Sequence, residues 1–235
     1  QTHNGIGMAR FYNTLTGVTT MQPTNINGNW QTEWMGDLAH ELDKKERWEL
    51  KSCIKLTYLH SNDLVQEAKT EVPISSMNLS TVRNFYTNAS VGINYRSKPL
   101  NAGLQVQLDL QHATSQRANF TTLNNKDISS NFTLLAKLPW KVEIASDITL
   151  FSRRGYADHS MNSDEWIWNA SIEKRLLKNR ALSFKCSAVD LLAQRRNVER
   201  KVNAQGYTET WYNTIPRYLL FTLSYRFHKA PKRKY

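Results

Sequence analysis

The sequence predicts an all-β protein, an antiparallel up-and-down transmembrane β-barrel of about ten long strands. Three observations carry that expectation. Apolar and polar residues alternate with a period of two along most of the chain, which is the pattern of a strand with two unlike faces. Many alternating segments reach the roughly 9–11 residues of a tilted membrane strand. The connections between them alternate between short turns and long polar loops, as in outer-membrane barrels.

Taken in order, the segments fall near 6–20, 29–42, 47–61, 79–96, 101–116, 127–138, 140–154, 164–176, 180–192 and 213–228. In the third, Trp48, Leu50, Ile54, Leu56 and Tyr58 oppose Glu49, Lys51, Lys55 and Thr57. In the fourth, Phe85, Ala89, Val91, Ile93 and Tyr95 oppose Asn88, Ser90, Gly92, Asn94 and Arg96. The fifth is the clearest: Ala102, Leu104, Val106, Leu108 and Leu110 share one face, and Gly103, Gln105, Gln107, Asp109 and Gln111 the other. Trp140, Val142, Ile144, Ile148 and Leu150 then oppose Lys141, Glu143, Asp147 and Thr149, and Trp166, Trp168, Ala170 and Ile172 oppose Asn169, Ser171, Glu173 and Arg175. The last strand sets Leu219, Phe221, Leu223, Tyr225 and Phe227 against Leu220, Thr222, Ser224, Arg226 and His228. A soluble sandwich also alternates, but its strands run about 5–6 residues, half the length of these.

The polar faces define a set of lumen-facing side chains: Lys51, Lys55, Arg96, Asp109, Lys141, Glu143, Asp147, Glu173, Arg175 and Arg226. Such charges either pair across neighbouring strands or meet an internal plug. The apolar faces carry aromatic residues near strand ends (Trp30, Trp48, Tyr58, Tyr95, Trp140, Trp166, Tyr225), where their rings suit the headgroup boundary.

Composition narrows the function classes. No run approaches the roughly 18 apolar residues of a membrane-spanning helix, so a helical membrane protein is excluded. The net charge is +11, which calls for an anionic partner or a basic surface. Short turns hold much of it, at Lys44, Lys45, Arg47, Lys98, Lys137, Lys141, Lys174, Arg175, Lys178 and Arg180, with a basic tail over 229–235. Barrel strands over 1–228 and that tail make up the chain. In an even-stranded barrel with both termini on the short-turn side, all these cations fall on one rim. Nucleic acid is not the expected partner, since no binding motif accompanies the charge.

Catalytic and cofactor readings are thin. Asp158, His159 and Ser160 are consecutive in a loop, and a Ser–His–Asp site needs groups that converge in space. His60 and His112 sit near predicted outer strand ends, too few for a metal site on their own. Cys53 and Cys186 form no metal-ligand motif, and a disulfide between them has no support in their spacing. No cofactor and no enzymatic activity are expected. The opening QTHNGIGMARFYN has neither an initiator Met nor a leader, so the chain reads as processed or as a piece of something longer.

The stretch DLLAQRRNVERKVNAQGYTETWYNTIPRYLLFTLSYRF, Asp190 to Phe227, resembles the C-terminal end of Bacteroidetes outer-membrane β-barrel proteins similar to TonB-dependent receptors. Asp190-Leu191-Leu192 closes a strand, a polar loop with Asn197 and Arg200 follows, then the Pro216-Arg217-Tyr218 entry and a final strand ending in Tyr225-Arg226-Phe227. The resemblance implies that Tyr225 and Phe227 form the terminal aromatic signal read by the barrel assembly machinery. It implies nutrient uptake in the bacterial outer membrane, among outer-membrane lipid and lipopolysaccharide, with TonB and a surface lipoprotein as partners. The sequence departs from it in lacking a plug, and about ten strands are fewer than half of the roughly 22 of a plugged transporter. The chain is then expected to be part of a larger barrel, with a plug or further strands from the same or another chain. A self-contained ten-stranded barrel with a structural or hydrolytic role is the alternative.

Overall fold

The computed structural model describes residues 5–69, 73–116, 120–177, 181–195, 198–203, 206–213, 215 and 217–227. In chain order the strands are β1 (Gly5–Asn13), β2 (Thr19–Ile26), β3 (Trp30–Glu41), β4 (Trp48–Ala68), β5 (Asn78–Arg96), β6 (Leu100–Ser115), β7 (Leu123–Leu138), β8 (Val142–Arg154), β9 (Ser163–Leu176), β10 (Leu182–Val189), β11 (Val198–Asn203), β12 (Gly206–Trp211) and β13 (Tyr218–Tyr225). Among the described residues no helix is long and apolar enough to cross a membrane. The side chains of 198–209, and the whole of 178–180 and 228–235, lie outside the description, so Lys178, Arg180, Arg200, His228 and the basic tail have no structural account here.

Eleven strands share one sheet. From β3 through β10 each pairs antiparallel with the next, and β13 pairs antiparallel with β10. β11 and β12 form a hairpin of their own, with Val198 opposite Trp211. The β3–β4, β5–β6, β7–β8 and β9–β10 connections are short and lie at one end; the long loops lie at the other. In the first of these turns Asp43 Oδ1 accepts from the backbone N–H groups of Arg47 (2.6 Å) and Trp48 (3.0 Å), and Oδ2 from Arg47 Nε (3.0 Å). Burial alone would lift the Asp43 carboxyl, but these bonds outweigh it and hold the group below its ordinary range.

The expected alternation holds within the long strands, and the departures have local causes. The segment read near 6–20 is two strands, because Asn13 Oδ1 accepts from Leu15 N and Thr16 N and turns the chain, with Gly17 at φ 69°. Its product, β1, pairs parallel with the upper edge of β4, from Ala9 opposite Leu64 to Asn13 opposite Ala68. The stretch 192–213, read as loop, contains the β11–β12 hairpin. β4 runs 21 residues, past the expected end at 61. Trp140 and Lys141 both sit at φ 61° in the β7–β8 turn, so alternation starts at Val142 and neither residue belongs to the strand.

Register places every second residue on a common apolar face that continues from strand to strand: Leu50–Ile93–Leu104–Phe132–Ile148–Trp168 is one such path, read through paired residues and their same-face neighbours. Aromatic residues bound it. Trp48 and Tyr95 pack at 4.7 Å near the short-turn end, and Trp30 packs on Tyr58 at 5.0 Å and stacks on His60 at 5.7 Å further up. Trp48 and Tyr58 are separated by about ten residues, about 34 Å along the strand, or about 24 Å along the normal at a tilt near 45°. That matches the roughly 25 Å apolar band of an outer-membrane barrel. On this face of β3–β10 and β13 the charge below the upper belt is Lys174, opposite Val142 near the short-turn end of β9, and the Trp168 indole N–H donates to Ser146 Oγ at 3.0 Å. Above the upper belt it turns polar at His60, Arg83, His112, Lys126, Arg154 and Asp164.

This geometry sets a direct test of the two faces. Val106→Arg, mid-band on the apolar face, is expected to cost about 2–4 kcal/mol. Gln107→Arg, one residue on and facing the other way, is expected to cost well under half of that. Urea unfolding of the membrane-embedded protein in vesicles reads the difference, and equal losses would sink the assignment of faces.

Candidate functional site

The face opposite the apolar one is a continuous wall of amides, carboxylates and cations. Of the residues singled out from sequence, Lys51, Lys55, Arg96, Asp109, Glu143, Asp147, Glu173 and Arg175 share it, as the strand registers require. Lys141 lies in the turn below β8, with Nζ donating to Leu177 O at 2.8 Å. Arg226 follows β13, with its backbone N–H donating to Ala181 O at 2.7 Å. Tyr225 and Phe227 meet edge to face at 4.6 Å, and Phe227 is 86% exposed.

The charges on the wall are organised in local sets. Glu49 takes both Lys51 Nζ and Arg96 Nη2 at 2.9 Å. Lys55 Nζ meets Glu33 at 2.9 Å across the β3–β4 pair. Glu143 and Glu173 are directly opposite each other on β8 and β9, an arrangement that is repulsive on its own. Arg175 resolves it, with Nε on Glu173 at 3.1 Å and Nη2 on Glu143 at 3.5 Å. A cavity of about 200 Å³ opens beside them, lined by Lys137, Leu138, Lys141, Val142, Glu143 and Arg175. Asp147 accepts from Asn131 Nδ2 at 2.8 Å and Asn169 Nδ2 at 3.5 Å.

Toward the long-loop end a second set gathers that the sequence reading did not single out as a group. Asp109 is opposite Asp127. Asp109 accepts from Asn88 Nδ2 (2.6 Å) and Gln107 Nε2 (2.9 Å). Asp127 receives the Tyr156 hydroxyl at 2.9 and 2.8 Å, with Arg153 Nε at 3.9 Å. Gln111 continues the row, with Nε2 donating to Tyr86 Oη (3.1 Å) and Oε1 accepting from Asn125 Nδ2 (3.2 Å). Tyr156 belongs to the β8–β9 loop, which folds inward over the wall. Tyr156 N donates to Asn162 Oδ1, Asn162 Nδ2 returns to Tyr156 O, and Gly155 (φ 80°) passes so near Asn124 O that no Cβ fits. Burial, and donation to the Asp127 carboxylate, push the Tyr156 phenol well above the ordinary tyrosine range. Sequence pattern marks each of these residues as polar-face or loop. Only the strand register, which the pattern leaves open, brings Asp109 to Asp127, and only the fold of the loop brings Tyr156 to Asp127.

The other candidates have structural roles on the page. Asp158 Oδ1 accepts from Ser160 N at 2.9 Å and caps a one-turn helix over His159–Met161. His60 lies on Trp30, and His112 Nδ1 meets Asn124 Oδ1 at 2.6 Å. Both histidines are on the apolar side of the sheet, and among the described residues no three His, Cys, Asp or Glu side chains gather for a metal. Cys53 and Cys186 are free, on opposite faces and with five strands between them. Asp190, 4% exposed at φ 50°, accepts from Gln194 N and Arg195 N and ends β10, the place the resemblance gave it.

Two outcomes follow from this geometry. A raised phenol pKa contributes stability that is present below pH ~10 and lost as pH rises through the folded value. Ultraviolet titration of the native protein should therefore show one tyrosine that ionises later than the rest and disappears in Tyr156→Phe. Arg175→Met leaves Glu143 and Glu173 facing each other, and since both are partly solvated the expected cost is about 1–2 kcal/mol. Glu173→Gln in the same chain should restore much of it, as measured by urea midpoint.

The profile of the outer membrane protein beta-barrel family matches residues 37–225, most of the chain. No curated protein and no solved structure matches it. The match covers the strands from within β3 to the end of β13, which are those that carry the apolar band. With alternating faces, aromatic belts and that match in agreement, the chain is a bacterial outer-membrane protein and belongs to the outer membrane protein β-barrel family.

Proposed function

We propose that this chain is wall and loop of an uptake receptor of the TonB-dependent type, which admits a nutrient and makes or breaks no covalent bond in it. The observation that carries this reading is the breadth of the sheet. Eight strands suffice to close a small barrel around its own side chains. Here nine strands run in sequence from β3 to β13 with both outer edges unpaired among the described residues. A barrel that needs more than nine strands encloses space, and space across an outer membrane serves passage. The polar wall fits a lumen surface: its charges are held in local sets, and its amides offer hydrogen bonds to a solute or to a plug. The long loops gather at one end, where a solute from outside is met first, and the exposed Trp211 and Tyr212 stand among them.

Deletion of the protein in its native host tests the reading. Growth on a panel of sugars, oligosaccharides, peptides and iron sources as limiting nutrients should fall on one class alone. The same loss should follow from removal of TonB or from collapsing the proton gradient. Growth unchanged over the whole panel, with a heat-modifiable species that stays near 27.2 kDa, would replace uptake by a self-contained structural or hydrolytic barrel.

A further inference from the structure

Above the upper aromatic belt the lipid-facing side of the sheet carries a row of basic residues. It runs through His60 on β4, Arg83 on β5, His112 on β6, Lys126 on β7 and Arg154 on β8, and ends on Asp164 of β9. Each stands one same-face step beyond the upper margin of the band, which passes from Tyr58 and Phe85 through Leu110, Ile128 and Ser152 to Trp166. The row is level with the membrane plane. From β4 to β9 there are five strand spacings, about 24 Å. Over that distance the register carries the row down two residues from Arg83 to His112, two from His112 to Lys126 and two from Arg154 to Asp164, about 20 Å in all. The slope is about 40°, within the roughly 35–45° at which the strands of a membrane barrel tilt. The short-turn ends slope the same way. Trp48, which begins β4, is in register through Tyr95 and Ala102 with Leu134, above the end of β7 at Leu138. A row that crosses the strands at their own tilt keeps a constant depth in the bilayer.

Charge pairing differs between the two faces. On the lumen side Lys51, Lys55, Arg96 and Arg175 each meet a carboxylate at 2.9 to 3.1 Å. On the outer row Arg83 and Lys126 are exposed and make no ion pair among the described residues. Lys126 is directly opposite Arg154, and like charges so placed repel. Asp164 meets Arg154 Nη2 at 2.6 Å and leaves Lys126 uncompensated. Contact with water alone would admit any polar residue at this depth; it gives no reason for five basic residues and one acid.

We propose that this row binds the phosphate groups of lipopolysaccharide in the outer leaflet, with Arg83 and His60 as one grip and Lys126 and Arg154 as the other. Face and depth define the partner. The row lies on the side that meets lipid, one step above the hydrocarbon, and at the end of the long loops, which is the outer one in such barrels. What touches it there is an outer-leaflet headgroup, and its sign selects an anionic one. His60 and Arg83 are directly opposite each other, so both reach one group. A phosphate seated between Lys126 and Arg154 replaces their repulsion by charge-assisted hydrogen bonds.

Lipid titration of the whole protein tests the proposal, whatever the barrel transports. The protein is taken from its native outer membrane in mild detergent, stripped of lipid and titrated with lipopolysaccharide of its host, and native mass spectrometry reads the bound fraction. Arg83→Gln with Lys126→Gln should weaken binding about thirtyfold, since each cation beside an anionic lipid surface is worth about a factor of five to six. Arg83→Lys with Lys126→Arg should bind as the parent does. So should Lys44→Gln with Lys98→Gln, which removes as many charges from the short turns. The unaltered protein provides an arm that needs no variant: lipopolysaccharide treated with a phosphatase should bind far more weakly, and inorganic phosphate should not displace the intact lipid. Equal binding by the parent and the Arg83→Gln, Lys126→Gln protein would overturn the proposal, as would an equal loss in the short-turn variant or undiminished binding of the dephosphorylated lipid. Displacement by inorganic phosphate would overturn it too, because the row would then be a site for the free anion.

Discussion

Backbone hydrogen bonding in a medium without water is the constraint on which this structure depends. Inside the hydrocarbon every N–H and C=O needs a partner from protein, and in a sheet that partner is the adjacent strand. The strands are accordingly long and paired almost end to end, with β4 and β5 matched from Trp48–Tyr95 up to Val65–Asn78. Irregular backbone is confined to the ends, where water is available. Trp140, Lys141 and Leu177 adopt left-handed φ values in the short turns, a conformation that costs non-glycine residues about 1–2 kcal/mol. It is tolerated there because it brings the next strand into pairing at once.

Once the ladder exists, side-chain chemistry divides by face. The apolar side needs little specificity, since any hydrocarbon meets lipid equally well, and Leu, Ile, Val, Phe and Trp are interchangeable along it. The polar side is more demanding. Its groups are partly shielded, so a charge without a partner is costly, and the wall answers with small closed sets rather than one long network. Arg175 between two glutamates and Glu49 between two cations are the same solution with the signs reversed. The Tyr156 loop adds a neutral donor to a carboxylate that faces another carboxylate across the strands, and together with Arg153 it lowers the repulsion.

How much of this was legible in the sequence follows from what period-two alternation encodes. It encodes strand existence and facing, so the stretch from Trp48 to Leu176 was readable down to which residues share a side. It does not encode where a turn interrupts a weakly alternating stretch, and the side-chain cap at Asn13 and the left-handed pair Trp140–Lys141 were therefore missed. The β11–β12 hairpin was missed because its strands are only six residues long and Arg200 and Glu209 interrupt the face that Val198, Val202, Tyr207 and Trp211 share. Register was beyond reach altogether. A slip of two residues preserves every face, yet would separate Asp109 from Asp127 and Glu143 from Glu173, and with them the two charge sets described for the candidate site.

The aromatic belts carry a consequence for where this protein can live. Trp48 and Tyr95 at one level and Trp30, Tyr58 and Phe85 at the other mark an apolar height of about 24 Å. Sheets cannot tilt independently of their neighbours as a single helix does, so the wall has little means to match a thicker bilayer. Mismatch is then met by the lipid, which must thin around it at fractions of a kcal/mol per Å. Multiplied around a whole circumference, that penalty makes the belts a gauge of bilayer thickness. It holds the barrel in a thin membrane and draws barrels of the same height together, since each shares the compressed lipid of the next.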